Sequence, residues 1–356
     1  MSPAVRVALD ARVLTLQSEL AGVGQYINEM IKASQEVGQD LVDLVPLSFR
    51  EDVARPGVTV VPPILRLPWQ SVAVPWHLWR HHYDVFHGPA FSVPPRTHTT
   101  LIVTIHDVTY LRFPETVNDD TVHYLTRVVK SAVTRAEAVI VPSFEVKEDL
   151  LRHFPRISAS KIRVIALGAD RLPGTGPNLS PEVPMPYLMH VGTVEPRKNL
   201  PFLLQVFDRL KMRYEIPHHL VLIGGAGWKN QAFHETLDGL RHRDAVHLMG
   251  YVDDDTMAAF YRHASLYVMP AIYEGFGIPA LEAARFGVSV VANATGGIRD
   301  LDPDPGIRVM ASWDPDDWAK AIVTMLSEPV APRIAVPTWR QTWLAHVSLY
   351  REVVGR

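Results

Sequence analysis

Glu274 and Glu282 bracket the run Glu274-Gly275-Phe276-Gly277-Ile278-Pro279-Ala280-Leu281-Glu282, the part of the chain that says most about chemistry. The apolar residues Leu266 to Met269 before it read as a strand, and the alanine-rich stretch Ala280 to Phe286 as a helix. The spacing predicts a strand, loop, helix unit with a carboxylate at each end of the loop. Glycines let the backbone approach a ligand closely, and Pro279 suits a first helical turn, where its missing N–H costs nothing. Such a helix offers free N–H groups to an anion. Phosphate is the usual occupant of such a site, but two carboxylates are better suited to sugar hydroxyls.

A second cluster reads His190-Val191-Gly192-Thr193-Val194-Glu195-Pro196-Arg197-Lys198-Asn199. A strand, Tyr187 to Val191, runs into a turn at Gly192. Arg197 and Lys198 then stand where an amphipathic helix carrying Leu200, Leu203, Leu204, Phe207 and Leu210 begins. Cations at a helix N-terminus oppose its dipole, so a nearby polyanion is expected to remove the conflict. The planar fork of Arg beside the point charge of Lys suits a diphosphate better than a single carboxylate.

The elements that must hold these clusters alternate between β-like and helical patterns, which predicts parallel sheets of the doubly wound α/β kind. Strands are expected at 5–10, 41–47, 58–61, 85–87, 101–105, 138–142 and 162–165 in the first half. In the second they fall at 187–191, 219–223, 246–248, 266–269, 288–292 and 307–309. Residues 172–186, rich in proline and poor in apolar pattern, read as a linker. The expected domains are therefore 1–171 and 187–335, followed by a closing segment 336–356. In that segment Trp339, Trp343, Val347, Tyr350 and Val354 share one helical face that must be buried. Ligands of open α/β sheets bind at the carboxyl ends of the strands.

Gly22 and Gly24 follow the first strand and mark either a tight turn or a loop beside a ligand. His106-Asp107 follow the strand ending at Ile105. His106 is either a site residue or a loop histidine, and Asp107 is suited to capping the next turn. The stretch 67–83 holds Trp69, Trp76 and Trp79 among Arg80, His81 and His82. It fits a membrane interface on one face, or plain core packing. The 16 histidines form no convincing metal site. The run Asp253 to Asp255 is better explained as the cap and first turn of a helix than as a cation site.

With 356 residues, the chain suits two ordinary cores. Hydrophobic and charged contents of 47% and 21% are those of a globular protein. A net charge of −3 argues against nucleic-acid binding. Zero cysteines exclude disulfides and thiolate metal sites. Residues 5–10 form a strand pattern rather than a signal peptide, and no apolar run approaches the ~20 residues that span a bilayer. The expected location is cytoplasmic, with any membrane contact made from the inner face.

The two clusters, taken in their order and spacing, resemble the nucleotide-sugar site of the glycosyltransferases called group 1 or family four. The resemblance rests on Glu274-x7-Glu282 and the preceding Arg197-Lys198. It extends through the glycine loop at Gly22, His106-Asp107 and the closing aromatic helix, and so covers nearly the whole chain. Asp10-Ala11-Arg12 and His106-Asp107-Val108-Thr109-Tyr110-Leu111-Arg112-Phe113-Pro114-Glu115 resemble the bacterial branch that builds surface polysaccharides, often with mannose.

The resemblance implies the GT-B fold, with two Rossmann-like doubly wound domains facing across a cleft. It also implies a retaining transferase moving a hexose from a nucleotide diphosphate sugar to a glycan or polyprenyl-diphosphate-linked acceptor. GDP-mannose is favoured over a UDP-sugar, and no metal or other cofactor is expected. Arg197 and Lys198 would stabilise the leaving diphosphate, Glu274 would face the donor sugar, and His106 would approach from the first domain. Glu282 would bind the ribose, and the backbone of Gly250, Tyr251 and Val252 would touch the base. Phe276, Gly277 and Ile278 would hold the sugar or its phosphate, with Gly22, Gly24 and Gly192 as turns beside the donor.

One departure is the loop Asn293-Ala294-Thr295-Gly296-Gly297-Ile298-Arg299-Asp300, where the family commonly carries a serine-rich or Pro-Glu sequence. Gly296 and Gly297 are still able to cradle phosphate. The alternatives are a catalytically silent scaffold of the same fold and a UDP-sugar enzyme acting on a small molecule. A nicotinamide oxidoreductase lacks its third glycine and its acidic residue. A solute-binding protein lacks its export signal, and phosphorylase-like chemistry lacks a cofactor lysine site.

Overall fold

The computed structural model describes residues 4–16, 22–38, 40–50, 58–63, 69–174, 179–301 and 303–355. Every expected strand is present, with ends moved by two residues or fewer. The first half holds β1 (Val5–Asp10), β2 (Val42–Ser48), β3 (Thr59–Val60), β4 (Val85–Gly88), β5 (Thr100–Thr104), β6 (Ala138–Val141) and β7 (Ile162–Val164). These pair in parallel in the order β3-β2-β1-β4-β5-β6-β7. The second half holds β8 (Tyr187–Val191), β9 (His219–Ile223), β10 (Val246–Gly250), β11 (Leu266–Met269), β12 (Val290–Asn293) and β13 (Ile307–Met310). Their order is β10-β9-β8-β11-β12-β13, again parallel.

Burial on both faces explains the near-continuous apolar strands. Ala138-Val139-Ile140-Val141 and Leu266-Tyr267-Val268-Met269 are buried throughout, as expected where helices cover a parallel sheet on each side. The helix Leu200–Tyr214 sinks its leucine and phenylalanine stripe into a core with Trp318, Ile322 and Phe233.

The chain divides into two compact units. One comprises residues 1–112, 119–168 and 338–356, and the other 113–118 and 169–337. The closing helix Trp339–Val353 belongs to the first unit and packs on the helix Val23–Val37. Thr338 caps it in a reciprocal capping box with Gln341, and Trp339, Trp343, Val347 and Tyr350 are buried.

Two boundaries differ from expectation. The described residues 172–174 and 179–186 group with the second unit, and hydrogen bonds at both ends tie their backbone to it. Leu172 is buried, and its carbonyl accepts from Arg285 Nη1 at 2.8 Å. The Pro186 carbonyl accepts the His219 N–H at 2.9 Å. Residues 113–118 also belong to the second unit: Trp228 Nε1 donates to the Thr116 carbonyl at 2.8 Å, and Lys229 Nζ to that of Val117 at 2.7 Å. Proline content signalled an irregular path in 172–186 but not which core would hold it, and no sequence signal set 113–118 apart.

Candidate active site

The second sheet reverses its winding between β8 and β11, which are neighbours although β9 and β10 intervene in sequence. Such a switch point opens a crevice at the carboxyl ends of the strands. Both charged clusters leave the sheet there, Gly192–Lys198 after β8 and Glu274 after β11. Pro196–Lys198 form a separate 3₁₀ turn, and Asn199 in the left-handed region (φ 53°) divides it from the helix Leu200–Tyr214. The cations therefore stand ahead of the helix rather than in its first turn.

The chain itself supplies the counter-charge. Arg197 Nη1 donates to Glu274 Oε2 at 2.8 Å and to the Tyr273 carbonyl at 2.9 Å, and Nη2 donates to Glu195 Oε1 at 2.5 Å. Lys198 Nζ donates to Glu274 Oε1 at 2.5 Å. Two carboxylates and two cations thus form a neutral quartet. An ammonium has three donors. Among the described residues Lys198 uses one, so two N–H groups of a nearly buried cation are left for a ligand.

Burial pushes the Glu274 carboxyl up, but Arg197 and Lys198, by charge and by hydrogen bond, outweigh it and hold the group down at about 2. Glu274 is therefore a fixed carboxylate acceptor rather than a proton donor. Gly192 makes room for this arrangement. A Cβ there would come within 3.0 Å of Lys198 Cε and 3.2 Å of His190 Nε2. Buried His190 donates from Nδ1 to the Val268 carbonyl at 2.8 Å, and burial, then the charge of Lys198, holds it neutral at about 4.

After Glu274 the loop leads into the helix Ile278–Arg285, capped by Gly277 in the left-handed region (φ 89°). The Glu274 N–H is fixed by Thr295 Oγ1 at 3.0 Å, and the Gly297 N–H by the Phe276 carbonyl at 2.8 Å. The N–H groups of Phe276, Gly277 and Ile278 have no acceptor among the described residues. This corrects the expectation for Gly296 and Gly297. A Cβ on Gly296 would meet the Glu274 carbonyl oxygen at 2.9 Å, and one on Gly297 would meet the Phe276 ring at 2.6 Å. These glycines let one loop pack against the other and do not form a phosphate cradle.

Glu282 is buried within that helix. Tyr261 Oη donates to its Oε2 at 3.1 Å, and Arg171 Nη2 lies 3.7 Å from its Oε1 while Nη1 pairs with Asp254. Burial raises the carboxyl to about 7, against the opposing pull of Arg171 and the Tyr261 hydrogen bond. A carboxyl raised on folding stabilises the fold when protonated, and that contribution is lost as pH climbs from about 4.5 to about 7. Glu282→Gln is therefore expected to gain stability over the wild type across that window, by about 2–3 kcal/mol at pH 8. Thermal melts at pH 5 and pH 8 check it, and an equal gain at both pH values would contradict it.

Gly250 closes β10 with φ 65°, and its carbonyl accepts the Gly224 N–H at 2.8 Å. Tyr251 is exposed and Val252 half-buried. Glu195, Thr295, Tyr261 and Arg171 were not assigned roles from sequence. Glu195 stood inside the quoted cluster, whereas Tyr261 and Arg171 reach Glu282 through tertiary contacts without a local signature. Gly224-Gly225 after β9 repeats the glycine turn after β8 and was a readable signal.

Gly22, Gly24 and His106 belong to the first unit. Gly22 caps the helix Val23–Val37 with φ 52°. His106 follows β5 and donates from Nε2 to the Pro89 carbonyl at 2.8 Å, which leaves Nδ1 as an acceptor. Burial lowers its pKa, against the Pro89 hydrogen bond and the charge of Asp107, and so favours the neutral ring. Tyr26 meets it edge-on at 4.8 Å. A buried relay fixes Tyr26 in turn: Tyr350 Oη to His87 Nδ1 (2.7 Å), His87 Nε2 to Thr104 Oγ1 (2.7 Å), Thr104 to Tyr26 Oη (3.3 Å), Tyr26 to His346 Nε2 (2.8 Å), and His346 Nδ1 to the Thr342 carbonyl (2.7 Å). One donor direction satisfies every member. Asp107 Oδ1 accepts the Thr109 N–H at 2.9 Å, so Asp107 caps a turn. Asp253 likewise caps the helix Asp254–His263 through the Thr256 N–H at 2.8 Å. Trp69 is core, its Nε1 donating to the Val61 carbonyl, whereas Trp76 and Trp79 are 52% and 69% exposed; residues 67 and 68 lie outside the described residues.

Comparison with known proteins accords with this geometry. Residues 185–328 match the family model for glycosyl transferases group 1, and residues 20–171 match that for glycosyltransferase family 4. The chain is 27% identical over 276 residues to the O-antigen chain mannosyltransferase B of Escherichia coli, covering 75% of this chain and 69% of that one. The sucrose-phosphate synthase of Thermosynechococcus elongatus superposes with a TM-score of 0.70 at 19% identity, over 98% of this chain and 96% of its own. Anabaena HepE, in complex with UDP and glucose, superposes with a TM-score of 0.67 at 15% identity, over 99% and 98%. The chain belongs to the group 1, family 4 glycosyltransferases and has their GT-B fold.

Proposed function

We propose that this glycosyltransferase moves a hexose, with mannose favoured, from a nucleotide diphosphate sugar to a glycan or polyprenyl-diphosphate-linked acceptor, with retention of configuration. The observation that carries the reading is Lys198, a nearly buried ammonium pinned by Glu274 with two donors to spare at a switch point. Arg197 and Lys198 stabilise charge developing on the departing diphosphate, the role of fixed cations in a transition state. The unpaired N–H groups of Phe276, Gly277 and Ile278 hold the donor's phosphate or sugar.

Ionised Glu274 accepts hydrogen bonds from the sugar hydroxyls, and Glu282 accepts them from the ribose. The backbone of Gly250, Tyr251 and Val252 meets the base, and Gly192 keeps Lys198 in place. His106 of the first unit is assigned to the donor sugar as an acceptor, and Gly22 and Gly24, at the cap and first turn of the helix Val23–Val37, to the donor's approach. Retention follows the family's account, in which the acceptor attacks the face that the diphosphate leaves. Protein cations and helix N–H groups take the place of a metal.

The similarity to an O-antigen mannosyltransferase supports GDP-mannose. The UDP bound by HepE supports the alternative UDP-sugar. Transfer assays with labelled GDP-mannose, UDP-glucose and UDP-galactose, without added metal, are expected to give product from GDP-mannose. Product from a UDP-sugar alone would reverse the donor assignment, and no turnover of any nucleotide sugar would favour the silent scaffold.

Peripheral membrane contact is proposed through the helix Ala73–His81, where Trp76 and Trp79 are exposed beside Arg80 and His81. No helix among the described residues is long and apolar enough to cross a bilayer. Co-sedimentation with anionic liposomes is expected to fall in a Trp76→Ala, Trp79→Ala double variant. Undiminished binding would remove this surface from the account.

A further inference from the structure

The first sheet has its own switch point, between β1 and β4, and a polar cluster occupies it. Asp10 ends β1 and is almost completely buried. Arg12 holds it through Nε at 2.9 and 3.0 Å and through Nη2 at 2.8 Å. Gln70 Nε2 reaches Asp10 Oδ2 at 3.3 Å and Ser92 Oγ at 3.0 Å, and Arg12 Nη2 lies 3.5 Å from the same hydroxyl. The Arg12 guanidinium also covers the Trp69 ring at 4.9 Å. Four side chains from three segments thus converge where open α/β sheets take their ligands.

Three features point to a ligand rather than to a closed structural pair. The Arg12 side chain is 26% exposed, and its Nη1 has no acceptor among the described residues. Gln70 spends both amide hydrogens inward, and its Oε1 has no donor among the described residues. The loop bearing Ser92 also holds Phe91 in the left-handed region (φ 64°), a strained conformation for a bulky side chain and one that clusters at functional sites. That loop contacts His106: Pro89 accepts its Nε2–H, and the Phe91 ring lies 5.8 Å from its imidazole.

We propose that Asp10, Arg12, Gln70 and Ser92 form a recognition subsite for an uncharged sugar, the acceptor's terminal residue; this rests on the glycosyl-transfer reading above. The balance of donors and acceptors selects the ligand. Beside the Arg12 donor the cluster presents an acceptor, Gln70 Oε1, which a phosphate, itself only an acceptor, would leave unsatisfied. Hydroxyls, which both donate and accept, match the remaining Arg12 donor and Gln70 acceptor. A phosphate-bearing acceptor would therefore present its glycan here, not its anion.

The test is ligand-observed NMR titration of the full chain with methyl α-D-mannopyranoside, methyl α-D-glucopyranoside and mannose 6-phosphate, alongside nucleotide titration as a separate readout. The wild type is expected to bind at least one methyl glycoside and to bind the phosphate no better. Gln70→Ala and Arg12→Ala are expected to weaken glycoside binding roughly ten-fold while leaving the nucleotide response intact. Asp10→Asn, by freeing Arg12, is expected to raise affinity for mannose 6-phosphate. Because Asp10 is buried and its replacement risks the fold, the partly exposed Gln70 carries the decisive comparison. Unaltered glycoside affinity in folded Gln70→Ala and Arg12→Ala overturns the subsite, as does wild-type preference for the phosphate or failure to bind either glycoside. Loss of the nucleotide response in the wild type would instead strike the glycosyl-transfer reading.

Discussion

Lys198→Ala is expected to slow sugar transfer by roughly 10²–10³-fold, the usual cost of removing one fixed donor from a developing oxyanion. The loss should fall mainly on kcat, because leaving-group charge exists only in the transition state. The fold should survive, since Glu274 keeps its bond to Arg197 Nη1 and its backbone anchor on Thr295. Steady-state kinetics with the nucleotide sugar, together with a melting curve, check both halves. Normal turnover in a folded Lys198→Ala protein would remove Lys198 from the leaving-group role.

Glu274→Ala is expected to be more damaging, with activity and stability lost together. It leaves Arg197 with Glu195 and strips Lys198 of the one hydrogen bond its ammonium makes among the described residues. Orphaning a buried cation typically costs about 3–5 kcal/mol. The quartet indicates that this variant folds only with a markedly lower Tm. Glu274→Gln preserves the shape and should lose less stability while still losing transfer.

The pH dependence has a definite sign. The folded carboxyl is held at about 2, below its unfolded value of 4.5, so its stabilisation is complete above pH 4.5 and is lost as pH falls toward 2. That contribution is about 3 kcal/mol. An acid titration of Glu274→Gln should lack this component, and a parallel loss in both proteins would place the wild-type acid sensitivity elsewhere.

Periodicity and turn residues made the sheets legible, because a buried parallel strand must be apolar for its whole length and a reversal needs glycine, proline or a cap. Leu266–Met269 and Ala138–Val141 illustrate this, and the glycines after Tyr187–Val191 and Leu266–Met269 pointed to the crevice. What stayed hidden was set by tertiary contact. Nothing local to Arg197 and Lys198 says that Glu195 and Glu274 neutralise them, and nothing near Glu282 announces Tyr261 or Arg171. Gly296 and Gly297 misled for the same reason: a glycine that admits a neighbouring backbone reads the same as one that admits a phosphate. The grouping of residues 113–118, 172–174 and 179–186 with the second unit likewise shows only in tertiary contacts, those of Trp228, Lys229 and Arg285 among them.

The central claim is that Arg197 and Lys198 receive a diphosphate, and calorimetric titration tests it most directly. GDP and GMP, and UDP and UMP, would be titrated into the wild type and an Arg197→Ala, Lys198→Ala double variant. The wild type is expected to prefer the diphosphate of its own base by roughly ten-fold or more, the worth of a charge-assisted contact. The double variant should bind diphosphate and monophosphate alike. A diphosphate preference that persists undiminished in a folded double variant would contradict the account.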